Sequence, residues 1–359
     1  MQEGFEVAVA CWTADAEEAA RSWGVTQVYP LPLNRANFSL RHLIATSCAL
    51  RRVIRHFKPD LIQTAGLRSV VIAWLGALNL ISMHACTPNL VHLISGMGSL
   101  FSSKKLGFKL RCTRICMTGL LAVIARWPRN WIVCQNAGDR DWIQRTLCAP
   151  LDKLLLIPGS GIDVSQWVAR PEPSDTPARI VFVGRFIEEK GLSDLVEALR
   201  LLKQRGFVYV ARVIGDVDPG NPHSLKREQV IAWMNEGLIE WLGHRQDVLS
   251  CISESHVLVF PSTYGEGLPN VILEAGLAQR AIVAYDHAGA RQAVEHGVSG
   301  LLVPQGNIPA LADAIFQLAR DSALRRKLAE AHHQRVVHEF SDSVIHAHYI
   351  GLYRRISGV

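Results

Sequence analysis

The stretch from Val257 to Pro304 constrains this chain more than any other. Val257 to Phe260 is a short β-branched and aromatic run stopped by Pro261, which predicts a buried strand ending in a loop. That loop, Ser262 to Pro269, holds two glycines and the carboxylate of Glu266. Pro269 sits where a helix can start, and Asn270 to Ala278 carries Val271, Ile272, Leu273 and Leu277 at spacings that suit one buried face. The predicted order is strand, glycine loop, helix N-terminus. Such a helix end presents unpaired N–H groups and a partial positive charge, which together favour a phosphate. Glu266 stands before the helix and Glu274 one turn inside it. Donors for a diphosphate beside acceptors for sugar hydroxyls suit a nucleotide sugar. A surface loop with a helix-capping acid is the plainer alternative.

Upstream, short apolar runs alternate with helical periodicity. Gly4 to Ala10 reads as a strand, Tyr29 to Leu33 as a turn and Leu40 to Phe57 as a helix whose polar side carries Arg41, Arg51, Arg52 and Arg55. Lys58-Pro59-Asp60 breaks that helix before the strand Leu61 to Thr64. Leu90 to Ile94 is a further strand that runs into Ser95-Gly96-Met97-Gly98-Ser99, where the glycines would let a ligand approach the backbone. Trp131 to Cys134 precedes Gln135-Asn136-Ala137-Gly138-Asp139, with Asp139 read as a helix cap, and Leu154 to Ile157 ends in Pro158-Gly159-Ser160-Gly161. Alternation of this kind is expected of a doubly wound α/β sheet.

The proline-rich, polar segment 171–178 reads as a linker. It divides a first domain, residues 1–170, from a second, 179–340, and a last helix occupies 341–359. In the second domain Ile180 to Val183 is a strand, Gly184 to Gly191 a loop and Leu192 to Gln204 a helix. Gly184 permits close approach, and Arg185 and Lys190 put two cations at the strand's carboxyl end, the usual ligand side of an open α/β sheet. A diphosphate leaving group needs such neutralisation. Asp216 and Asp218 form a D-x-D, a pattern that elsewhere holds a divalent metal, but Pro219-Gly220-Asn221-Pro222 follows and a turn is explanation enough. No metal site and no cofactor are expected.

At 359 residues the chain has room for about two domains, and 49% hydrophobic with 19% charged residues is a globular composition. Charge is uneven: residues 1–150 hold 17 Lys and Arg against 8 Asp and Glu, whereas the remainder is net acidic. Between Phe101 and Arg129, Lys104, Lys105, Lys109, Arg111, Arg114, Arg126 and Arg129 interleave with apolar side chains and no acid. That mixture predicts a helix at an anionic membrane surface in preference to a basic face over core or to nucleic acid. No run reaches the roughly 20 apolar residues needed to span a bilayer, and no signal-peptide pattern opens the chain. The eight cysteines are scattered, so they are expected to be reduced, mostly buried and without zinc, in a cytoplasmic protein lying on the inner face of the membrane.

Glu266 and Glu274 stand as E-x(7)-E within P-S-T-Y-G-E-G-L-P-N-V-I-L-E-A, and G-L-L-V-P follows at Gly300 to Pro304. This resembles the signature of the retaining, GT-B-fold glycosyltransferases of family four, and G-R-x-x-x-x-K-G at Gly184 to Gly191 resembles their diphosphate loop. The likeness runs from Gly4 to the C-terminus and is greatest to bacterial enzymes that extend lipid-linked sugars. It implies two Rossmann-like domains facing a cleft, a UDP-sugar donor in the second and a lipid-linked or saccharide acceptor in the first. Arg185 and Lys190 would neutralise the diphosphate, helped by backbone N–H groups around Gly267 to Asn270, a donor-binding segment that includes Leu268 and Pro269; Glu274 would hold the ribose and Glu266 the transferred hexose or N-acetylhexosamine. His244 lies in a loop similar to the family's base-contacting turn. Ser95, Gly96 and Gly98 resemble its acceptor-side glycine loop, and His84 or His92 would be the assisting histidine, though each also reads as structural. In the family a strand, a glycine loop and a helix precede the G-F-E-V run; a first domain short of that βα unit is therefore expected, through a late start codon in preference to an impaired fragment.

Overall fold

The computed structural model describes residues 4–32, 39–78, 87–98, 101, 107–165, 167, 170–174 and 176–358. His84, Cys86, Lys104 and Lys105 lie outside these residues. The chain is α/β throughout, with every named strand pair parallel.

In the first half, β1 (Ala8–Cys11) pairs with β2 (Gln27–Pro30). A separate sheet runs in the order β3 (Leu61–Ala65), β4 (Asn89–Ile94), β5 (Asn130–Cys134), β6 (Leu154–Leu156). Among the described residues no strand joins the pair to the quartet. The expected turn at Tyr29-Pro30 is instead the end of β2, and the reason is its position: β2 is an outer strand, where a proline's missing N–H leaves no ladder bond unmade. Helices α1 (Ala14–Ser22), α2 (Leu40–Phe57), α3 (Leu67–Leu78), α4 (Phe108–Ala125) and α5 (Ala137–Leu147) fill the connections. Helix α2 starts where Ser39 Oγ accepts from His42 N at 3.3 Å, and it buries Thr46, Ser47, Leu50 and Ile54 on one stripe.

The second half is one sheet of six strands in the order β12 (Leu301–Val303), β11 (Ala281–Tyr285), β10 (Val257–Phe260), β7 (Ala178–Val183), β8 (Tyr209–Ile214), β9 (Glu240–Trp241). Its inner strands β10 and β11 are buried at every position, as expected of a parallel sheet covered on both faces. The covering helices are α6 (Leu192–Gln204), α7 (Arg227–Asn235), α8 (Val248–Ser253), α9 (Asn270–Leu277), α10 (Ala288–Ala293), α11 (Ile308–Arg320) and α12 (Ser322–Glu339). The connection order reverses between β7 and β10, and such a switch point opens a crevice at the carboxyl ends of the strands.

Segment 170–173 is bound to the second half. Arg280, 2% exposed, donates to the carbonyls of Arg170 and Pro171 at 3.0 Å, and buried Arg325 holds Glu172 at 2.6 Å. The halves are joined nearer Ile162, whose N–H donates to Phe340 O and whose carbonyl accepts from Asp342 N, each at 3.0 Å. From there α13 (Asp342–Ser357) packs Ile345 and Leu352 against Val91, Val133 and Ile157 of the first half.

The seven described cysteines are unpaired. Cys11, Cys134 and Cys251 are buried, but Cys48, Cys112, Cys116 and Cys148 are exposed, which corrects the expectation that most are buried. Cys112 and Cys116 share the open side of α4 with Phe108 and Ile115.

Candidate functional site

The carboxyl ends of β7 and β10 bring the two halves of the site together. After β7 the chain turns through Gly184 and Arg185 to a single 3₁₀ turn, Glu188–Lys190, which delivers the Lys190 ammonium. After β10, Pro261 and Ser262 lead to Glu266. Lys190 Nζ and Glu266 Oε1 stand 2.6 Å apart, and Ser262 Oγ donates to the same carboxylate oxygen at 3.1 Å. Both ionic side chains are less than one-fifth exposed. The ammonium also lies 5.7 Å from the Phe260 ring centroid and 5.8 Å from that of Tyr264. A shielded cation and anion in contact attract more strongly than the same pair in water. A polyanion entering the crevice would compete with Glu266 for that cation.

Helix α9 begins immediately afterwards, with Pro269 as its N-cap residue and without a side-chain cap. Asn270 and Val271 carry its first N–H groups, which an α-helix leaves without an intrahelical acceptor. Leu268 is buried in apolar contact and Asn270 is exposed. Glu274 lies one turn along α9, and burial pushes its carboxyl above the usual range.

Other expected site residues fall differently. Arg185 pairs with Asp218 at 3.0 Å on the loop after β8, its side chain 55% exposed. Asp216 holds Arg227 at 2.8 Å, so both acids of the D-x-D carry arginines. Among the described residues no group of three His, Cys, Asp or Glu is placed to hold a metal ion. The N–H of Gly267, read from sequence as a diphosphate donor, is given to Ser95 O at 3.0 Å. Gly184 N–H bonds to Ile214 O at 3.0 Å; a Cβ at Gly215 would collide with the Gly184 carbonyl oxygen, and Gly215 N–H donates to Gly243 O at 2.9 Å. The exposed His244 is therefore on the same sheet edge, two strands from Lys190. His92 faces the first-half core, where its Nδ1 meets Thr64 Oγ1 at 3.0 Å and burial lowers its pKa to about 3. It is structural.

The loop holding Ser95, Gly96 and Gly98, expected from sequence on the acceptor side, reaches this site directly. Gly98 N–H donates to Gly265 O at 3.2 Å, in addition to the Gly267–Ser95 bond. Gly96 has φ +117°, and a Cβ there would lie 2.8 Å from Gly267 N and closer still to Gly265 O. Two residues went unread in the sequence. Asn136, not Asp139, caps α5, accepting from Asp139 N at 2.7 Å, and its Nδ2 reaches Gly267 O at 2.9 Å. His287 caps α10 beside the Phe260 ring, 9% exposed; burial lowers its pKa against the opposing pull of Glu266. Asn136 carried a readable signal, an N-cap residue ahead of a helix; His287 carried none.

The chain is similar to known proteins in sequence and in fold. The chain is 25% identical over 320 residues, 86% of its length and 80% of the other's, to an N,N'-diacetylbacillosaminyl-diphospho-undecaprenol alpha-1,3-N-acetylgalactosaminyltransferase of Campylobacter jejuni. It is 31% identical over 180 residues, half of each chain, to the lipopolysaccharide core biosynthesis glycosyltransferase LpsE of Rhizobium meliloti. It is 28% identical over 166 residues, 46% of this chain and 43% of the other, to the Staphylococcus aureus capsular polysaccharide biosynthesis glycosyltransferase CapM. Anabaena HepE in complex with UDP and glucose superposes with a TM-score of 0.77 at 17% identity, over 98% of this chain and 93% of that one, and shares the GT-B fold. Residues 177–321, which contain Lys190, Glu266 and Glu274, match the family described as Glycosyl transferases group 1. The chain is a glycosyltransferase of α/β GT-B architecture whose residues 177–321 are similar to the glycosyl transferases group 1 family.

Proposed function

We propose that this chain moves a hexose or N-acetylhexosamine from a UDP-sugar, with retention of configuration, to a lipid-linked saccharide at the inner face of the cytoplasmic membrane during cell-surface glycan synthesis. The contact of Lys190 with Glu266 at the switch point, beside the start of α9, carries this reading. In the proposed reaction the diphosphate takes Lys190 from Glu266, and the N–H groups of Asn270 and Val271 add to its neutralisation. Glu266, so released, accepts from the sugar hydroxyls and stabilises positive charge at the anomeric carbon as its bond to the phosphate loosens. Glu274 holds the ribose, and the departing phosphate takes the acceptor's proton on the same face of the sugar, so no carboxylate nucleophile is needed. Arg185 joins only by leaving Asp218. The lipid-linked acceptor is supported by the Campylobacter relative, whose name states an undecaprenol diphosphate, and UDP by the HepE complex.

The test is calorimetry with UDP beside a transfer assay. Lys190→Ala should weaken UDP at least tenfold, whereas Glu266→Gln should bind UDP within about threefold of the parent and lose turnover by 10²-fold or more. Unchanged UDP affinity in Lys190→Ala would remove the diphosphate assignment. A second reading, a nucleotide-sugar-binding protein that transfers nothing, is favoured by one observation, the first-half sheet in two pieces. Turnover by the parent chain excludes it.

A further inference from the structure

The residues on either side of Glu266 are held by the other half of the molecule. Gly265 O accepts from Gly98 N at 3.2 Å, and Gly267 N donates to Ser95 O at 3.0 Å. Asn136 Nδ2 lies 2.9 Å from Gly267 O and 3.4 Å from Glu266 O. Asn136 is itself fully buried and held in one orientation: its Oδ1 accepts from Asp139 N at 2.7 Å, and its second amide hydrogen goes to Asp139 Oδ2 at 2.9 Å. Both hydrogens of the amide are thereby used, and a flipped amide would set its oxygen against a carboxylate and two carbonyls. Lys190, by contrast, is carried by the second half alone. The backbone around Glu266 is thus held from the first half, while its carboxylate meets Ser262 and Lys190 of the second.

We infer that Asn136 is a positioning residue for Glu266: by clasping the Glu266–Gly267 peptide from the first half, it fixes where the carboxylate stands when the halves close on a donor. The inference rests on the role proposed above for Glu266. Its chemistry is geometric. A peptide held at three consecutive residues leaves the Glu266 side chain only its own torsions, and an error near 1 Å in such a group costs about a hundredfold in rate. No bond to Lys190 or to the diphosphate passes through Asn136, so donor affinity should be nearly independent of it.

Asn136→Asp is the informative variant, because aspartate still accepts from Asp139 N and caps α5 but can donate to neither Gly267 O nor Asp139. Expected are UDP affinity within about threefold of the parent, donor KM little changed and kcat lower by about 30- to 100-fold. Asn136→Ser, which keeps a cap and a donor but adds no charge, should recover part of that loss. In the Glu266→Gln background the same Asn136→Asp change should cost less than threefold more, since both act through one carboxylate. Full turnover by Asn136→Asp, or a loss that multiplies undiminished with that of Glu266→Gln, would overturn the positioning role. Full turnover by Glu266→Gln alone would instead overturn the reading beneath it. Should Asn136→Asp lose its cooperative melting transition, Asn136→Ser decides alone, parental kcat refuting the proposal.

Discussion

Asp139 ties this contact to proton binding. Burial raises its pKa from 3.8 to about 6, opposed by the hydrogen bond from Asn136. A carboxyl whose folded pKa lies above its unfolded one favours folding when protonated, so its contribution is whole below pH 4 and is lost as pH rises through about 6. At neutral pH the ionised group therefore costs stability, by an amount on the order of 1–3 kcal/mol. Asp139→Asn removes the charge and keeps an acceptor for Asn136 Nδ2. It should match the parent's stability near pH 4.5 and exceed it by about that amount at pH 7.5, measured by urea unfolding at both values. Equal stability at the two values would show that the carboxyl is not held in its neutral form. At this scale Lys190 and Glu266 were legible because each stands next to a glycine at a strand's carboxyl end, and the fold brings those ends together. Arg185 was not. Its partner Asp218 lies 3.0 Å away on the neighbouring loop after β8, a pairing set by side-chain reach and not by spacing.

Among the elements, α4 departs furthest from an ordinary surface helix. Phe108 is 84% exposed and Ile115 71%, and at seven residues' separation they share a face that also carries Cys112. Leu120, Leu121 and Ile124 pack inward, and Arg111 and Arg114 add positive charge with no acid in the helix. No described helix is long and apolar enough to cross a membrane. An exposed apolar row beside arginines suits the headgroup boundary of an anionic bilayer, each large apolar side chain contributing about 1.5–3 kcal/mol when buried there. The pair Phe108→Ser and Ile115→Ser should lower binding to phosphatidylglycerol vesicles at least tenfold in flotation at low salt, with melting unchanged because both side chains are already in water. Flotation equal to the parent's would count against α4 as the membrane face. Two periodic helices were readable to the residue, Leu40–Phe57 and Leu192–Gln204, where a serine or a glycine cap precedes an apolar stripe. Strand β2 was not, because Pro30 signals a turn unless the strand is already known to lie at a sheet edge.

The molecule as a whole is closed by its own C-terminus. The chain leaves the first half near Ile162 and comes back beside it at Ser341, and the two passages are bonded to each other. With 170–173 strapped down by Arg280 and Arg325, that part of the proline-rich segment belongs to the second half, and the paired passages at Ile162 and Ser341 are where the halves are bonded to each other. Neither strap could be read from sequence, since an arginine donating to distant carbonyls, or pairing with a carboxylate 153 residues away, leaves no pattern. Helix α13 then rests on β4 and β5, with Ile345 fully buried against the Val91 and Val133 cluster and the Arg355 guanidinium over the Trp131 ring at 5.3 Å. A residue next to the end of the second half in sequence therefore stabilises the first. Ile345→Ala removes three carbons from a buried site and should cost about 2–5 kcal/mol. If the halves open separately, that cost falls on one of them: amide exchange should quicken through β4, β5 and β6, while β7, β10 and β11 keep the parent's protection. UDP affinity should hold and turnover should fall, because Asn136 and Ser95 are carried by the destabilised half. Equal loss of protection in both sheets would mean that the chain unfolds as a single cooperative unit, and that the Ile162–Ser341 junction transmits stability as well as position.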